Sequence, residues 1–350
     1  MPRPILTIEG SDNDFSYFTT FAASADGKLA FAQQQDGALR VFSSQGRAIG
    51  SIGRKGEGPG EFRGLNSIGW LGDTTWVGDN RLRRLTFIGP GAKFLRTVPI
   101  PTQLTGEGGQ NSEFLSPRLV AVTPDGTLLM QGLRMEPTPA GAGTIVRGVS
   151  TWLVLATREG GIRRIVAQSP PDPCHLRAPT SELRIPFCPA PIIAIAPTGD
   201  LLVFVTTVTS PAESHIVLSA VNTSGEVVYS KRLPILIERI SDAVRDTVVE
   251  GFREGDAVFR EMLGRIEIPR FYPPISRVNV GANGDVWVGL RPRAGDSFRV
   301  WWVFDARGAK VGETRTPANA DPAAVDPRGL WIAVVDRVGV ENIVLYPKPN

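Results

Sequence analysis

Short apolar runs, separated by glycine-bearing turns, recur along the whole chain. Six turns of this kind stand out: Asp26-Gly27, Gly72-Asp73, Asp125-Gly126, Thr198-Gly199, Asn283-Gly284 and Arg328-Gly329. Each is preceded by an apolar run, namely Phe21-Ala-Ala, Ile68-Gly-Trp, Leu119-Val-Ala-Val, Ile192-Ile-Ala-Ile, Val278-Asn-Val and Ala323-Ala-Val. Each is followed by another: Leu29-Ala-Phe, Thr75-Trp-Val, Leu128-Leu-Met, Leu201-Leu-Val-Phe-Val, Val286-Trp-Val and Leu330-Trp-Ile. Two apolar runs about a tight glycine turn predict an antiparallel hairpin. A second glycine, at Gln45-Gly46, Pro90-Gly91, Glu159-Gly160, Ser224-Gly225 and Arg307-Gly308, predicts an outer hairpin in five of the six units. The sixth unit lacks one, whereas the run Ile5-Leu-Thr-Ile8 stands before the first unit without a partner of its own. Repeated sheets of this kind remove their exposed edges by closing on themselves. The first run is therefore expected to pair beside residues 342 to 346 as the outermost strand of the sixth sheet.

One segment changes period. Ile240, Val244, Val248 and Phe252 recur every four residues behind Ser241, a suitable N-cap. After Gly255 a second stretch carries Val258, Phe259, Met262 and Leu263. Residues 238–264 thus read as a helical insert between the fourth and fifth units, either packed on the rim or laid over the axis as a lid.

Ile52 to Phe62 read Ile-Gly-Arg-Lys-Gly-Glu-Gly-Pro-Gly-Glu-Phe, a sequence suited to a tight ordered connection and not to a helix or central strand. A three-strand meander follows, with turns at Asp73 and at Asp79-Asn-Arg81 and an end at Gly89-Pro-Gly91. With Gly60-Glu-Phe62, Val77-Gly-Asp79 and Arg81 in order, the stretch from Gly53 to Gly91 resembles an NHL repeat. The chain is similar to the bacterial six-bladed β-propeller family with NHL-like repeats, the rest of it matching as degenerate repeats. The fold class expected is all-β, a six-bladed β-propeller with a helical insertion between blades four and five, formed by residues 1–350 as one domain.

Composition narrows the function without choosing it. The chain has 350 residues, 38 glycines, 29 prolines, 42% hydrophobic residues and a formal charge of +3. Arg54-Lys55 and the group Arg81, Arg83 and Arg84 are interspersed with Glu57, Glu61 and Asp79, so no basic stripe for nucleic acid forms. No apolar run reaches the roughly 18 residues that span a bilayer. Met1-Pro-Arg-Pro-Ile carries no signal-peptide core; the expectation is a periplasmic or extracellular protein whose leader was removed, with a cytoplasmic one as the alternative. Cys174 and Cys188 are the only cysteines. A disulfide between them would contribute about 3 kcal/mol and imply an oxidising compartment. Two free thiols, or a metal with His175, are the other readings.

In a radial array the innermost strands enter at a central pocket. Counting seven residues back from the polar residue of each turn selects Thr19, Asn66, Arg118, Pro191, Ser276 and Asp321. Arg118, flanked by Asn66, Thr19 and Ser276, suits a carboxylate or phosphate; an internal pair with Asp321 is the plainer alternative. The reading is a monomeric binding module with a polar axial pocket, taking a small anionic or polar molecule or a protein partner, with no cofactor assigned. The alternative is a hydrolase of lactonase, esterase or phosphotriesterase type, with calcium held by Asn66 and Asp321. That set is poor in the six to eight oxygens calcium takes, and Arg118 would repel the ion. No Gly-x-Ser-x-Gly elbow, P-loop or dinucleotide fingerprint occurs.

Overall fold

The computed structural model describes residues 1–13, 15, 18–106, 114–135, 146–147, 149–177, 182–210, 213–253, 260–261, 266–337 and 339–349. Six four-stranded antiparallel sheets follow one another along the chain. Blade one is Phe18–Ala23, Leu29–Gln33, Ala38–Phe42 and Ala48–Ile52. Blade two is Leu65–Leu71, Thr74–Asp79, Arg84–Gly89 and Lys93–Pro99. Blade three is Leu115–Val122, Leu128–Met135, Val149–Ala156 and Ile162–Gln168. Blade four is Ile192–Ile195, Leu201–Thr209, Ser214–Asn222 and Val227–Pro234. Blade five is Ile275–Val280, Val286–Leu290, Phe298–Phe304 and Lys310–Pro317. Blade six is Asp321–Asp326, Gly329–Val335 and Glu341–Pro347, and takes its outermost strand from Leu6–Ile8 at the start of the chain. The protein is a six-bladed β-propeller.

All six anchor turns join the first and second strands of a blade, as the turn chemistry predicts. Gly126 shows why: its φ of +81° is a conformation that a Cβ disfavours. The ring closes where expected, with Leu6 opposite Leu345, Thr7 opposite Val344 and Ile8 opposite Ile343. Ile8, Ile343 and Leu345 are buried together with Phe31 and Trp331, so the closure is an apolar seam as well as a ladder.

Core packing follows a size rule across the first two strands. Trp76, Trp287 and Trp331 occupy the same ladder position in blades two, five and six and are fully buried. Opposite them on the inner strands stand Gly69, Asn279 and Ala324, small side chains that leave room for an indole. Polar ties join neighbouring blades: Lys28 to Asp73 at 2.6 Å, Arg164 to the Ser224 carbonyl at 3.1 Å, and Lys348 to Asp285 at 2.5 Å. Arg328 donates to the carbonyls of Ser44 and Gly27, tying blade six to blade one.

Two features depart from the plain six-sheet pattern. Val146–Arg147, His175–Arg177 and Glu182–Arg184 make a seventh, three-stranded sheet beside blade three, which the sequence did not signal. Its strands have two or three residues each, too few to show an alternating pattern. The disulfide Cys174–Cys188 forms next to this sheet, with Cα atoms 5.4 Å apart. Helix α1 (Asp242–Arg253) follows the outer strand of blade four in the chain. It starts at the expected cap, the Val244 amide donating to Ser241 Oγ at 3.3 Å. None of its residues is buried, and Ile240, expected on its apolar face, is instead buried ahead of it. The second predicted helical stretch, with Val258, Phe259, Met262 and Leu263, lies outside the described residues.

Candidate functional site: the axial channel and its mouth

The pairing register of the inner strands defines equivalent positions more firmly than counting from turns. Opposite Ala32, Gly78, Gln131, Val205, Gly289 and Ala333, one per second strand, stand Thr20, Ser67, Arg118, Ile192, Arg277 and Asp321. Arg118 and Asp321 therefore share a row. Thr19, Asn66 and Ser276 sit one residue earlier, at irregularities in the ladder between Phe18 and Thr20, Leu65 and Ser67, and Ile275 and Arg277. A bulge inserts an unpaired residue and shifts any count made from the turn. The side chains of Thr19 and Asp321 lie outside the described residues; their backbone belongs to the inner strands of blades one and six.

The nominated side chains that are described have local partners. Arg118 is exposed, and its Nε and Nη2 donate to Gln131 Oε1 at 3.0 and 2.8 Å, within its own blade. Asn66 Oδ1 accepts the Asn80 amide at 3.2 Å. Ser276 Oγ donates to the carbonyls of Gly289 and Leu290 at 3.1 and 3.3 Å. The sequence count missed Ser67 and Arg277, which occupy the register row itself. Only the ladder could have revealed them.

Below this row runs an axial cavity of about 200 Å³. Phe21, Ile68, Ile193 and Val278 line its upper tier, with Ala194, Asn279 and Ala324 beneath them. Its side chains are apolar except for Asn279, so the polar part of its surface comes from Asn279 and the strand backbones. At the turn end, blade four reaches across to blade two: the Trp70 amide donates to the Pro197 carbonyl at 3.0 Å, and Trp70 Nε1 donates to the Ala22 carbonyl of blade one at 3.1 Å. A Cβ on Gly69 would stand 2.3 Å from the Pro197 oxygen, so this approach requires glycine.

Two buried polar atoms of the inner strands have no hydrogen-bond partner among the described residues. Asn279 Nδ2 is buried on the cavity wall, and Ser67 Oγ is buried in the row above, its residue 9% exposed. Buried donors are normally satisfied, and each one left over costs about 1–3 kcal/mol unless something pairs with it. Among the described residues, no group of three or more His, Cys, Asp or Glu side chains lies close enough together to hold a metal ion. Among the described residues, no helix is long and apolar enough to cross a membrane.

The meander of blade two is organised by Asp79, which is fully buried. Its carboxylate accepts the amides of Arg63 at 2.7 Å, Arg81 at 3.0 Å and Leu82 at 2.9 Å. Arg84 donates to the carbonyls of Glu57, Gly58 and Glu61, pinning the glycine loop to the blade.

No protein-family profile matches the chain, and no curated protein matches its sequence. Solved structures do resemble it. A member of the DUF4221 family from Bacteroides vulgatus is 10% identical with a TM-score of 0.54, covering 100% of this chain and 98% of that one. A putative exported protein from Bacteroides fragilis is 12% identical with a TM-score of 0.45, over 98% and 94% of the two chains. The calcium-binding protein regucalcin from Agrobacterium tumefaciens is 12% identical with a TM-score of 0.39, over 95% and 91%. At these identities the likeness is one of fold, carried by the first of the three.

Proposed function

We propose that this protein is a binding module that takes a small anionic or polar molecule at the mouth of its axial channel. The observation that carries the reading is Asn279 Nδ2, a buried donor on the cavity wall with no partner among the described residues. Ser67, Arg118 and Arg277 belong to the register row above it. Such a set suits a carboxylate or phosphate: arginine supplies planar, bidentate donors at the rim, and the amide supplies one more at depth. Thr19, Asn66, Ser276 and Asp321 remain candidates to border the ligand.

The blade-two signature, Gly60-Glu-Phe62 with Val77-Gly-Asp79 and Arg81, supports an NHL-like repeat. The Cys174–Cys188 disulfide supports a life outside the reducing cytoplasm.

The test is calorimetric titration with inorganic phosphate, acetate and citrate as probes, on the parent protein and on Arg277→Ala and Asn279→Leu. Saturable binding that each substitution weakens about tenfold or more is expected, the loss of a charge-assisted hydrogen bond. Binding that survives both substitutions unchanged would remove the axial mouth from consideration. A parallel titration with calcium, read by melting temperature with and without EDTA, tests the metal-dependent hydrolase alternative.

A further inference from the structure

A second concavity, of about 200 Å³, lies away from the axis where the outer strand of blade four ends and blade five begins. Leu236, Pro274, Leu290 and Trp302 supply apolar walls, and Leu236 is 85% exposed. The ionisable groups on the lining are Glu238, Arg291 and Arg293, besides Tyr272. Arg291 is fixed from two sides. Its guanidinium lies over the Tyr272 ring at 3.6 Å, and its Nη1 stands 3.2 Å from Glu238 Oε2. The Tyr272 ring is in turn braced edge-on by Phe187 at 5.1 Å, next to Cys188 of the disulfide. The Tyr272 amide donates to the Glu238 carbonyl at 2.9 Å, and the Arg291 amide to the Pro274 carbonyl at 2.8 Å, so the wall is held through its backbone too.

Glu238 is therefore taken up by Arg291. Arg293 is exposed, and its side chain makes no hydrogen bond or ion pair among the described residues. On the lining itself two cations face one carboxylate; the Asp296 carboxylate, off the lining, accepts the Arg293 amide at 2.8 Å and makes no ion pair with its guanidinium, which is left unpaired beside an apolar recess.

We propose that this recess is a binding site for a small apolar carboxylate, its hydrocarbon body lying against Leu290, Pro274 and Trp302 and its charge on Arg293. The ligand class follows from complementarity: apolar surface calls for apolar surface, and the unpaired guanidinium calls for a carboxylate. The exposed Leu236 would be covered on binding. The site is separate from the axial mouth and stands whether or not that one binds.

Phenylacetate, benzyl alcohol and benzylamine distinguish the contributions, since they share a ring and differ in charge. In saturation-transfer NMR titrations phenylacetate should bind about tenfold more tightly than benzyl alcohol, and benzylamine more weakly than either. Arg293→Ala should erase the advantage of phenylacetate over the alcohol without changing the melting temperature. Leu236→Glu, also on the surface, should weaken phenylacetate and spare the amine. Arg118→Ala should change none of these, which keeps the two sites distinguishable. Equal binding of acid and alcohol, preference for the amine, no binding of any probe, or phenylacetate affinity untouched by both Arg293→Ala and Leu236→Glu would each overturn the proposal.

Discussion

Two segments between blades, residues 53–62 ahead of blade two and residues 174–188 after blade three, are held in place by opposite means. The first has no covalent tie. Glu61 accepts from Arg54 and from the Gly58 amide, both at 2.7–2.8 Å, and these bonds hold its carboxyl below the usual carboxylate range. Arg84 gathers three loop carbonyls, Asp79 ties the Arg63 amide at the end of the loop to the Arg81 and Leu82 amides of the blade-two turn, and Phe62 is fully buried in the core. The second loop is closed by Cys174–Cys188, with the Ile185 amide donating to the Cys174 carbonyl at 2.8 Å. Phe187, with a φ of +59°, is held in a conformation that few side chains adopt while it braces Tyr272. The first loop is thus stabilised by contacts of the folded state. The second draws on a restriction of the unfolded chain.

The comparison breaks most sharply at Asp79. Asp79→Ala removes the acceptor for three backbone amides and should lower stability by about 4 kcal/mol or more. Asp79→Asn should fall between, near 2 kcal/mol, because one oxygen survives. Urea unfolding measures both, and a loss below about 1 kcal/mol for the alanine variant would mean the loop does not depend on its carboxylate.

Replacing both cysteines by serine should cost about 3 kcal/mol, the closure entropy of a loop of this length. The same loss should follow when the parent protein is reduced, whereas blade-two variants should respond to reductant only as the parent does. Arg84→Ala should cost about 1–2 kcal/mol and speed amide exchange at residues 57–61, leaving residues 174–188 protected. Unchanged exchange there would show that the glycine loop holds itself.

The smallest effect sharpens the comparison with a group that belongs to neither loop. Tyr229 is buried beside Gly308 of blade five, its hydroxyl without a partner among the described residues. Burial first, and the Asp305 carboxylate second, push its phenol up to about 12. The unfolded phenol ionises near 10, so the folded state favours the neutral form. Its contribution is full below pH about 10 and is lost as pH rises toward about 12. Melting temperature should decline over that window, and Tyr229→Phe should flatten part of the decline.

The blades were legible in the sequence because each hairpin carries its own turn residues, and a turn such as Asp125-Gly126 needs no distant partner to be recognised. The closure by Ile5 to Ile8 was legible through accounting: one sheet was short a strand and one strand lacked a sheet. The axial row was legible only to within one residue. Bulges at Thr19, Asn66 and Ser276 leave no mark on an apolar pattern, so counting selected Asn66 and Ser276 where the register brings Ser67 and Arg277. The recess of Glu238, Tyr272, Arg291 and Arg293 was not legible at all. Its members are polar or single aromatic residues some 30 to 50 positions apart in places, and only the packing of blade four against blade five makes them neighbours.

The pairing of Leu6–Ile8 with Glu341–Pro347 has a consequence in time. Blades one to five can each complete their own ladders as soon as their residues leave the ribosome. Leu6–Ile8 has to wait until Glu341–Pro347 has been made, on the order of tens of seconds at ordinary rates of synthesis. Until then its edge and that of the nascent sixth sheet stay open, the state most prone to pairing with another chain. The exposure thus lasts as long as the five intervening blades take to be made, until a single antiparallel match seals the circle.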